Sequence, residues 1–271
     1  RYIVISIICP FYNSENHITR TCKSIYSQKN FNSKIEVIFI DDGSTDKSST
    51  LVHDEIVNNK NDKIHSKVIA TKHRGPGHAR NIGIISAKYD YISFLDSDDI
   101  WYSDKISILE SEIMENPRYN LFVHDENYIR LNGDSKTITH GLFHGALPSF
   151  LYKRNILSTS AVTIEKALII NQGFFDECLQ SSQDYELWLR LSKDLKIFKI
   201  NKVLGEYREH EGSITSKYYL YRFIDQVKIA TRYRHYVTVR TYIYKLLKII
   251  LSKQWVYGLK GILTGTKSHN H

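Results

Sequence analysis

Short apolar segments that alternate with helical patterns are the feature that most limits what this chain can fold into. The apolar segments lie at residues 3–9, 35–40, 68–70 and 91–95. Segments with helical periodicity follow them at residues 14–28, 47–58, 79–87 and 103–115. Repeated strand–helix units are typical of a sheet with parallel strands and helices on its faces. The sequence therefore predicts an α/β fold with a mostly parallel sheet.

A polar or acidic cluster follows three of these predicted strands. The clusters are PFYN at 10–13, DDGSTD at 41–46 and DSDD at 96–99. In open parallel sheets, ligands bind beyond the carboxyl ends of the strands, where the strand order switches. We therefore expect the three clusters to meet at one edge of the sheet and to form the site.

The DSDD segment places three carboxylates, Asp96, Asp98 and Asp99, directly after an apolar strand. Clustered carboxylates repel one another unless a cation or hydrogen-bond donors hold them. Their oxygens suit Mg²⁺ or Mn²⁺, ions that also prefer phosphate oxygens. An acidic turn that caps the following helix would contain the same residues. From these residues alone, a metal site and a helix cap are both open.

The DDGSTD segment has two similar interpretations. A carboxylate of Asp41 or Asp42 can accept a hydrogen bond from the imide N–H of uracil or from a ribose hydroxyl. Gly43 allows a tight turn, and the residues from Ser44 onward can cap the next helix. Taken alone, this segment favours the helix cap.

Six motifs in one order resemble the family 2 glycosyltransferases, which have the GT-A fold. They are CPFYNSE (9–15), IDDGSTD (40–46), GPGHARNIGI (75–84), FLDSDDIW (94–101), QDYELWLRL (183–191) and YREHEGSIT (207–215). The resemblance covers about residues 3–215, and six motifs in register are far more specific than any one of them. It implies an enzyme that transfers a sugar from a nucleotide diphosphate donor to an acceptor hydroxyl, with inversion at the anomeric carbon.

The resemblance implies a site for the nucleotide. Pro10 and Tyr12 match positions that line the nucleobase pocket, and a tyrosine ring can stack on a uracil face. Asp42 is the expected partner of the base, with Asp41 nearer the ribose or in a structural role. The expected nucleotide-sugar donor is a UDP-sugar.

The resemblance also implies a divalent cation, Mn²⁺ or Mg²⁺, which would stabilise the charge that builds on the leaving diphosphate. Asp96 and Asp98 match the Asp-x-Asp motif of the family. Asp98 is the expected metal ligand, Asp96 contacts the ribose or the metal, and Asp99 is a substitute ligand. His210 corresponds to a histidine that approaches the metal or the diphosphate from the opposite side.

Two arginines match basic positions of the pattern. Arg80 is expected to bind the nucleotide-sugar donor, although a surface salt bridge on a helix would also account for it. Arg208, two residues before His210, is a further candidate partner of a phosphate.

Asp184 is the expected catalytic base, which takes the proton of the acceptor hydroxyl as that hydroxyl attacks the sugar. A helix-capping or helix-dipole role is the alternative. Gln183 departs from the family pattern, because relatives usually carry Glu beside this Asp and an amide cannot act as a base. We expect Trp188, one turn further on, to pack in the core.

Two rival functions use the same residues. A nucleotidyltransferase also combines a nucleotide-binding sheet with metal-holding acids, but it usually has a glycine-rich phosphate loop after the first strand, where this chain has CPFYN. A catalytically silent protein that binds nucleotide sugars or acts as a membrane scaffold is the non-enzymatic alternative, which the Gln183 departure keeps open.

The positive charge of the chain belongs to its tail. Residues 216–261 contain ten Lys and Arg residues and one acid, whereas the net charge of the whole chain is +8. We therefore divide the chain into a catalytic domain at 1–215, with a nucleotide-binding half at 1–100 and an acceptor-binding half at 101–215, and a basic helical tail at 216–271. Tyrosines interleaved with basic residues favour contact with an anionic membrane surface. Packing on the catalytic domain or on another subunit of an oligomer is the alternative.

The remaining features define the class of protein and the expected partners. The apolar share of 42% and the charged share of 24% are those of a globular protein. Three separated cysteines favour reduced thiols, and no apolar segment is long enough to cross a membrane. We expect a cytoplasmic protein, attached peripherally to the inner membrane, that uses a glycan or lipid-linked glycan acceptor in bacterial surface glycan synthesis. No recognised module predicts binding to nucleic acid.

Overall fold

The computed structural model of the chain describes residues 3–59, 62–209 and 219–252. Its strands are β1 (Ile5–Phe11), β2 (Ile35–Asp41), β3 (Ile64–Ala70), β4 (Tyr91–Phe94), β5 (Ile100–Trp101), β6 (Leu121–Ile129), β7 (Ser135–Ile138), β8 (Val162–Glu165) and β9 (Ile197–Arg208). Its helices are α1 (Ile18–Tyr26), α2 (Ser48–Asn58), α3 (Pro76–Ser86), α4 (Lys105–Glu115), α5 (Leu147–Lys153), α6 (Lys166–Gln172), α7 (Gln183–Leu191), α8 (Tyr219–Arg232) and α9 (Val239–Ile250).

The strands form one sheet in the order β3-β2-β1-β4-β8-β6-β9-β5, and β7 pairs with β6. The strands β1 to β4 pair in parallel, with Ile5 opposite both Ile35 and Tyr91. The chain places β2 and β3 on one side of β1 and β4 on the other, so the strand order switches at β1. The carboxyl ends of β1, β2 and β4 therefore meet at the edge that the sequence predicts for a ligand.

The second half of the sheet adds antiparallel strands to the predicted, mostly parallel arrangement. β8 runs antiparallel to β4 and to β6, and β5 runs antiparallel to β9, whereas β6 and β9 are parallel. A turn at Asn132-Gly133 joins β6 to β7 as an antiparallel hairpin, with Gly133 at a φ of 86°. The sheet as a whole is therefore mixed, with β5, β7 and β8 running against the other strands.

Helices cover both faces of the sheet, and alternate residues of β1 explain how. Ile7 and Cys9 belong to one buried cluster, which α1 and α4 complete, whereas Ile8 belongs to a second cluster that α3 and α7 complete. All residues of β1 and β2 are buried, as central strands covered on both faces require. Trp188 is fully buried in the second cluster, which confirms its predicted core role.

The described part of the basic tail is helical and packs on the catalytic domain. The buried cluster that contains α7 also includes residues of the tail. These are Ile229 and Ala230 of α8, Tyr233 directly after α8, and Ile249 of α9. The Tyr152 hydroxyl donates to the Ala230 carbonyl at 2.9 Å. Within the described residues, no helix is long and apolar enough to cross a membrane.

Candidate active site

The acidic loop after β4 is fixed in place by hydrogen bonds to its neighbours. The Thr21 hydroxyl, on α1, donates to the carbonyl oxygens of Ser97 and Asp99 at 2.8 and 2.9 Å. The Asp96 backbone N–H donates to the Ser160 hydroxyl at 3.1 Å, and that hydroxyl donates to the Asp99 carboxylate at 2.5 Å. The acidic loop is therefore held in place by Thr21 on one side and by Ser160 on the other.

The three acids of this loop have different environments. Asp96 and Asp98 are partly exposed, whereas Asp99 is 2% exposed. Burial raises the pKa of the Asp99 carboxyl well above its ordinary value, and the nearby charges of Asp98 and Glu126 raise it further. One Asp99 oxygen has no hydrogen-bond partner within the described part of the chain. Asp96 and Asp98 are therefore the two acids that offer charged oxygens at the surface of the site.

Asp96 and Asp98 are the acids that would hold the predicted divalent cation. Within residues 3–59, 62–209 and 219–252, no group of three His, Cys, Asp or Glu side chains is arranged to hold a metal ion. His210, the predicted ligand from the opposite side, lies outside the described residues. Mg²⁺ sites, however, are commonly built from one or two carboxylates, substrate phosphates and water rather than from a complete protein cage. Asp96 and Asp98 provide such a partial ligand set.

Arg80 links the acidic loop to the rest of the site. It lies on α3 with 8% exposure, and its guanidinium donates to the Asp96 carboxylate at 2.6 Å. Burial lowers the pKa of Arg80, but the charge and the hydrogen bond of Asp96, together with the charges of Asp184 and Asp98, raise the pKa overall. The ion pair is therefore partly buried at the site, with Arg80 buried and Asp96 partly exposed, and is not the surface salt bridge that the sequence left open.

Asp184 lies at the start of α7 and lines the same cavity as Arg80 and Asp96. Burial raises the pKa of its carboxyl, and the positive charge of Arg80 partly offsets that rise. The Asn155 side-chain amide donates to the carboxylate at 3.3 Å. A carboxylate with a raised pKa is a better proton acceptor, so the environment of Asp184 suits a general base.

Gln183, the departure from the family pattern, has a structural role. It is 5% exposed, and its amide donates to the Leu179 carbonyl at 2.6 Å. A Cβ atom placed on Gly77 of α3 would lie 2.7 Å from the Gln183 amide, so α3 and α7 approach closely here. Of Gln183 and Asp184, therefore, only Asp184 has a carboxylate that can accept a proton.

The cavity has a volume of about 1380 Å³ and extends beyond the predicted site. Its wall includes Glu126, His140 and Tyr207, which the sequence did not single out, and basic residues of α8 and α9. His140 contacts the Glu126 carboxylate at 2.9 Å across the β6–β7 hairpin. Only the Asn132-Gly133 turn signal could have brought these two residues together from the sequence.

The side of the sheet edge that is predicted to bind the nucleotide is built around Asp42, which is 2% exposed. Its carboxylate accepts the backbone N–H groups of Arg74 at 3.0 Å and Gly75 at 2.8 Å and contacts His73 Nδ1 at 2.8 Å. Asp42 therefore positions the loop at 73–75, a role that the sequence did not predict. Its contact with a nucleobase stays a prediction.

Tyr12 and His73 form a stacked pair, with ring centroids 3.9 Å apart and planes inclined by 18°. Tyr12 is 39% exposed, so its ring is accessible beside the end of β1, next to the buried Pro10. Asp41 accepts the backbone N–H of Ser44 at 2.8 Å, which stabilises the turn at the end of β2. His73 was missed because no motif includes it; it comes to the site through the parallel pairing of β2 and β3.

Arg208, the last residue of β9, pairs with Glu206 at 2.7 Å. Burial lowers the pKa of Arg20, and the nearby charge of Arg208 lowers it further. The Arg20 guanidinium donates to the Asp98 carbonyl at 3.4 Å. Arg208 thus lies on the same side as the acidic loop, and its contact with a phosphate stays a prediction.

Comparisons with known proteins bear on the family and the fold. Residues 6–179 match the family model of glycosyl transferase family 2. The chain is 33% identical over 221 residues to WfaP of Escherichia coli, a UDP-Glc:alpha-D-GlcNAc-diphosphoundecaprenol beta-1,3-glucosyltransferase, with 79% of this chain and 80% of WfaP covered. It is also 33% identical over 221 residues to an uncharacterised glycosyltransferase of Rickettsia conorii, covering 78% of this chain but only about a third (34%) of that protein.

Solved structures show the same fold. The structure of Staphylococcus aureus TarS residues 1–349 with UDP-GlcNAc matches with a TM-score of 0.69 at 21% identity, covering 92% of this chain and 72% of that one. The mannosyltransferase PcManGT of Pyrobaculum calidifontis, with GDP-Man and Mn²⁺, matches with a TM-score of 0.65 at 14% identity, covering 100% and 77%. These likenesses confirm the predicted GT-A fold, and the family match and the WfaP identity show that the chain belongs to glycosyl transferase family 2.

Proposed function

We propose that this chain transfers a sugar from a nucleotide diphosphate donor, a UDP-sugar, to an acceptor hydroxyl with inversion at the anomeric carbon. One observation carries the proposal: Asp96, Arg80 and Asp184 line one cavity, with an acidic edge suited to a metal–diphosphate on one side and a carboxylate of raised pKa on the other. The names of WfaP and TarS support the choice of a UDP-sugar, since WfaP is named for UDP-Glc and TarS is seen with UDP-GlcNAc.

The residues of the chain divide the work. Tyr12 and His73 provide the stacked aromatic surface beside the nucleobase, and Asp42 holds the loop that carries His73. Asp96 and Asp98 would hold Mn²⁺ or Mg²⁺, and such an ion stabilises negative charge on the departing diphosphate. The PcManGT structure, which contains Mn²⁺ together with GDP-Man, supports this choice of ion.

Arg80 and Asp184 act on opposite partners of the reaction. Arg80 fixes the Asp96 carboxylate, and Asp184 accepts the proton of the acceptor hydroxyl as its oxygen attacks the anomeric carbon. A single base with direct attack from the face opposite the leaving group inverts the anomeric centre.

The proposed acceptor is a glycan of a bacterial surface polymer, carried on a lipid. WfaP is named for an acceptor on diphosphoundecaprenol, and TarS for poly(ribitol-phosphate). An acceptor of this kind resides in a membrane, and we include peripheral attachment to the cytoplasmic face in the proposal.

A screen of nucleotide sugars tests the proposed function. Thermal unfolding is followed with UDP-, GDP- and dTDP-sugars, each with Mn²⁺ or with EDTA. Stabilisation by UDP-sugars in Mn²⁺ is expected, followed by UDP release when α-D-GlcNAc-diphospholipid is added as the first acceptor. Stabilisation by GDP- or dTDP-sugars alone would contradict the choice of donor, and no stabilisation by any of them would contradict the function.

A further inference from the structure

The cavity continues from Asp184 to the two C-terminal helices, which give it a basic wall. Arg222 of α8 and Arg240, Lys245 and Lys248 of α9 line it, and Lys153 at the end of α5 adds a fifth cation. The wall adjoins the catalytic side directly, because Lys245 donates to the Tyr185 hydroxyl at 2.6 Å and Tyr185 follows Asp184. The acids of the cavity, in contrast, come from the loop after β4, from β6 and from α7.

In the part of the chain that the structure describes, no carboxylate pairs with these cations. Within residues 3–59, 62–209 and 219–252, none of the five forms an ion pair, whereas other basic residues of α8 do: Lys228 pairs with Asp225, and Arg232 with Asp176 and Glu186. Burial and the neighbouring Lys248 lower the pKa of Lys245 to about 8. A bound anion would relieve this repulsion, so the wall has the electrostatics of an anion site.

The exposed face of α9 beside this wall is apolar. Arg240, Tyr244 and Lys248 face the cavity at a spacing of four residues. The adjacent stripe has the same spacing and consists of Val239, Ile243, Leu247 and Leu251. Each of these side chains is 50–79% exposed. A continuous exposed apolar stripe on a helix usually marks a surface that contacts an apolar partner.

We propose that the basic wall binds the phosphate groups of a lipid-linked acceptor, and that the hydrocarbon chain of this acceptor lies along the apolar stripe of α9. The basic wall and the apolar stripe border each other on α9, just as the phosphate groups and the hydrocarbon chain are joined in a lipid-linked acceptor. The first sugar, attached to the phosphate, then reaches the cavity beside Asp184. This inference rests on the proposed function and specifies its acceptor, because a soluble sugar would need neither surface.

Binding of geranyl diphosphate tests the inference without a known acceptor. The titration is done in EDTA, so that no divalent cation can hold a diphosphate at the acidic edge. Arg240→Gln/Lys248→Gln removes two exposed charges of the wall, and Lys34→Gln/Lys202→Gln removes two exposed charges elsewhere as the matched control. Binding of UDP with Mn²⁺ to each variant reports separately on the fold and on the proposed donor site.

The wall variant should bind geranyl diphosphate at least about tenfold more weakly than the control, because charge-assisted contacts to phosphate are lost. Ile243→Ser/Leu247→Ser should weaken the binding of geranyl diphosphate but leave the binding of inorganic pyrophosphate unchanged. Wild type should bind geraniol more weakly than geranyl diphosphate. Equal binding by the wall variant and its control would overturn the inference. Pyrophosphate or geraniol that binds as tightly as geranyl diphosphate would also overturn the inference. Normal UDP binding in the same experiment would leave the proposed function standing.

Discussion

At the scale of single residues, the proposed reaction depends on one carboxylate and the arginine that influences it. Asp184 has a pKa raised by burial, and Arg80 lowers that pKa while its guanidinium is bound to Asp96. Arg80 thus connects Asp184, the proposed proton acceptor, with Asp96, the acid proposed to face the diphosphate. The two functions of the site can therefore be separated by substitution.

Asp184→Asn removes the proton acceptor while keeping the size of the side chain. We expect UDP-sugar binding to stay near the wild-type value and transfer to fall by at least about 100-fold, since an amide cannot take the proton. Calorimetric titration with UDP and a transfer assay measure the two effects. Near-normal transfer by this variant would place the base elsewhere.

The pH profile gives a second test of Asp184. Only the ionised carboxylate accepts a proton, so kcat/KM should fall as the pH drops through the raised pKa of Asp184. Arg80→Gln removes a charge that lowers this pKa, and the acidic limb should therefore move to higher pH. Arg118→Gln, an exposed arginine between α4 and β6, is the control and should leave the limb in place. An unshifted limb in Arg80→Gln would contradict the coupling.

At the scale of secondary-structure elements, α8 docks on α7 through a buried charge. The Tyr233 hydroxyl donates to the Glu186 carboxylate at 2.5 Å, and Glu186, 1% exposed, is also bound by Arg190 and Arg232. In the same way, the Asp225 carboxylate accepts the backbone N–H groups of Gln180 and Ser181 just before α7. The tail thereby supports the helix that carries Asp184.

Tyr233→Phe tests this docking by removing one hydroxyl. Loss of a hydrogen bond to a buried carboxylate should lower the free energy of unfolding by about 1.5–3 kcal/mol. Urea unfolding measures the change, and Tyr244→Phe, at a residue that is 68% exposed, should stay within about 0.5 kcal/mol of wild type. Equal stability of the two variants would mean that the tail adds little to the fold.

The sequence predicts elements well where their burial is continuous and poorly where it is not. β2 was predicted nearly to the residue, because both of its faces are buried and apolar. β3 extends from Ile64, four residues before its predicted start. In this edge strand only Ile64 is buried, and its polar residues hide the strand pattern. The strand pairing of the second half was not predicted, since short strands that pair antiparallel leave little periodicity in the sequence.

The same limit applies to the site. Asp96 and Asp184 stand in motifs, and their positions at a strand end and a helix start followed from the sequence. The contacts of Ser160 with Asp99, of Glu126 with His140 and of Lys245 with Tyr185 join residues 61, 14 and 60 positions apart. Such pairs depend on how the sheet and the tail close on each other, which no local pattern records.

At the scale of the whole molecule, the catalytic sheet and the basic tail share one cavity. The tail contributes cations to its wall and leaves an apolar stripe exposed beside it. A surface of this composition is attracted to anionic lipid and can also contact its apolar interior. The proposed attachment to a membrane would bring the opening of the cavity to a lipid-linked acceptor.

Flotation with liposomes tests this attachment. The chain should float with phosphatidylglycerol vesicles at low salt, less at high salt because ions screen the attraction, and little with phosphatidylcholine vesicles. No flotation with anionic vesicles under either salt condition would reject the attachment, while leaving the chemistry of the site untouched.

Asp96 and Asp98 are proposed to hold a divalent cation that binds the diphosphate next to Asp184, and the whole mechanism depends on this ion. Calorimetric titration of UDP into wild type, Asp98→Ala and Asp184→Asn, each in Mn²⁺ and in EDTA, tests it most directly. We expect Mn²⁺ to strengthen UDP binding in wild type and Asp184→Asn, and Asp98→Ala to abolish this gain. Binding that is the same in Mn²⁺ and EDTA, or a gain that persists in Asp98→Ala, would contradict the mechanism.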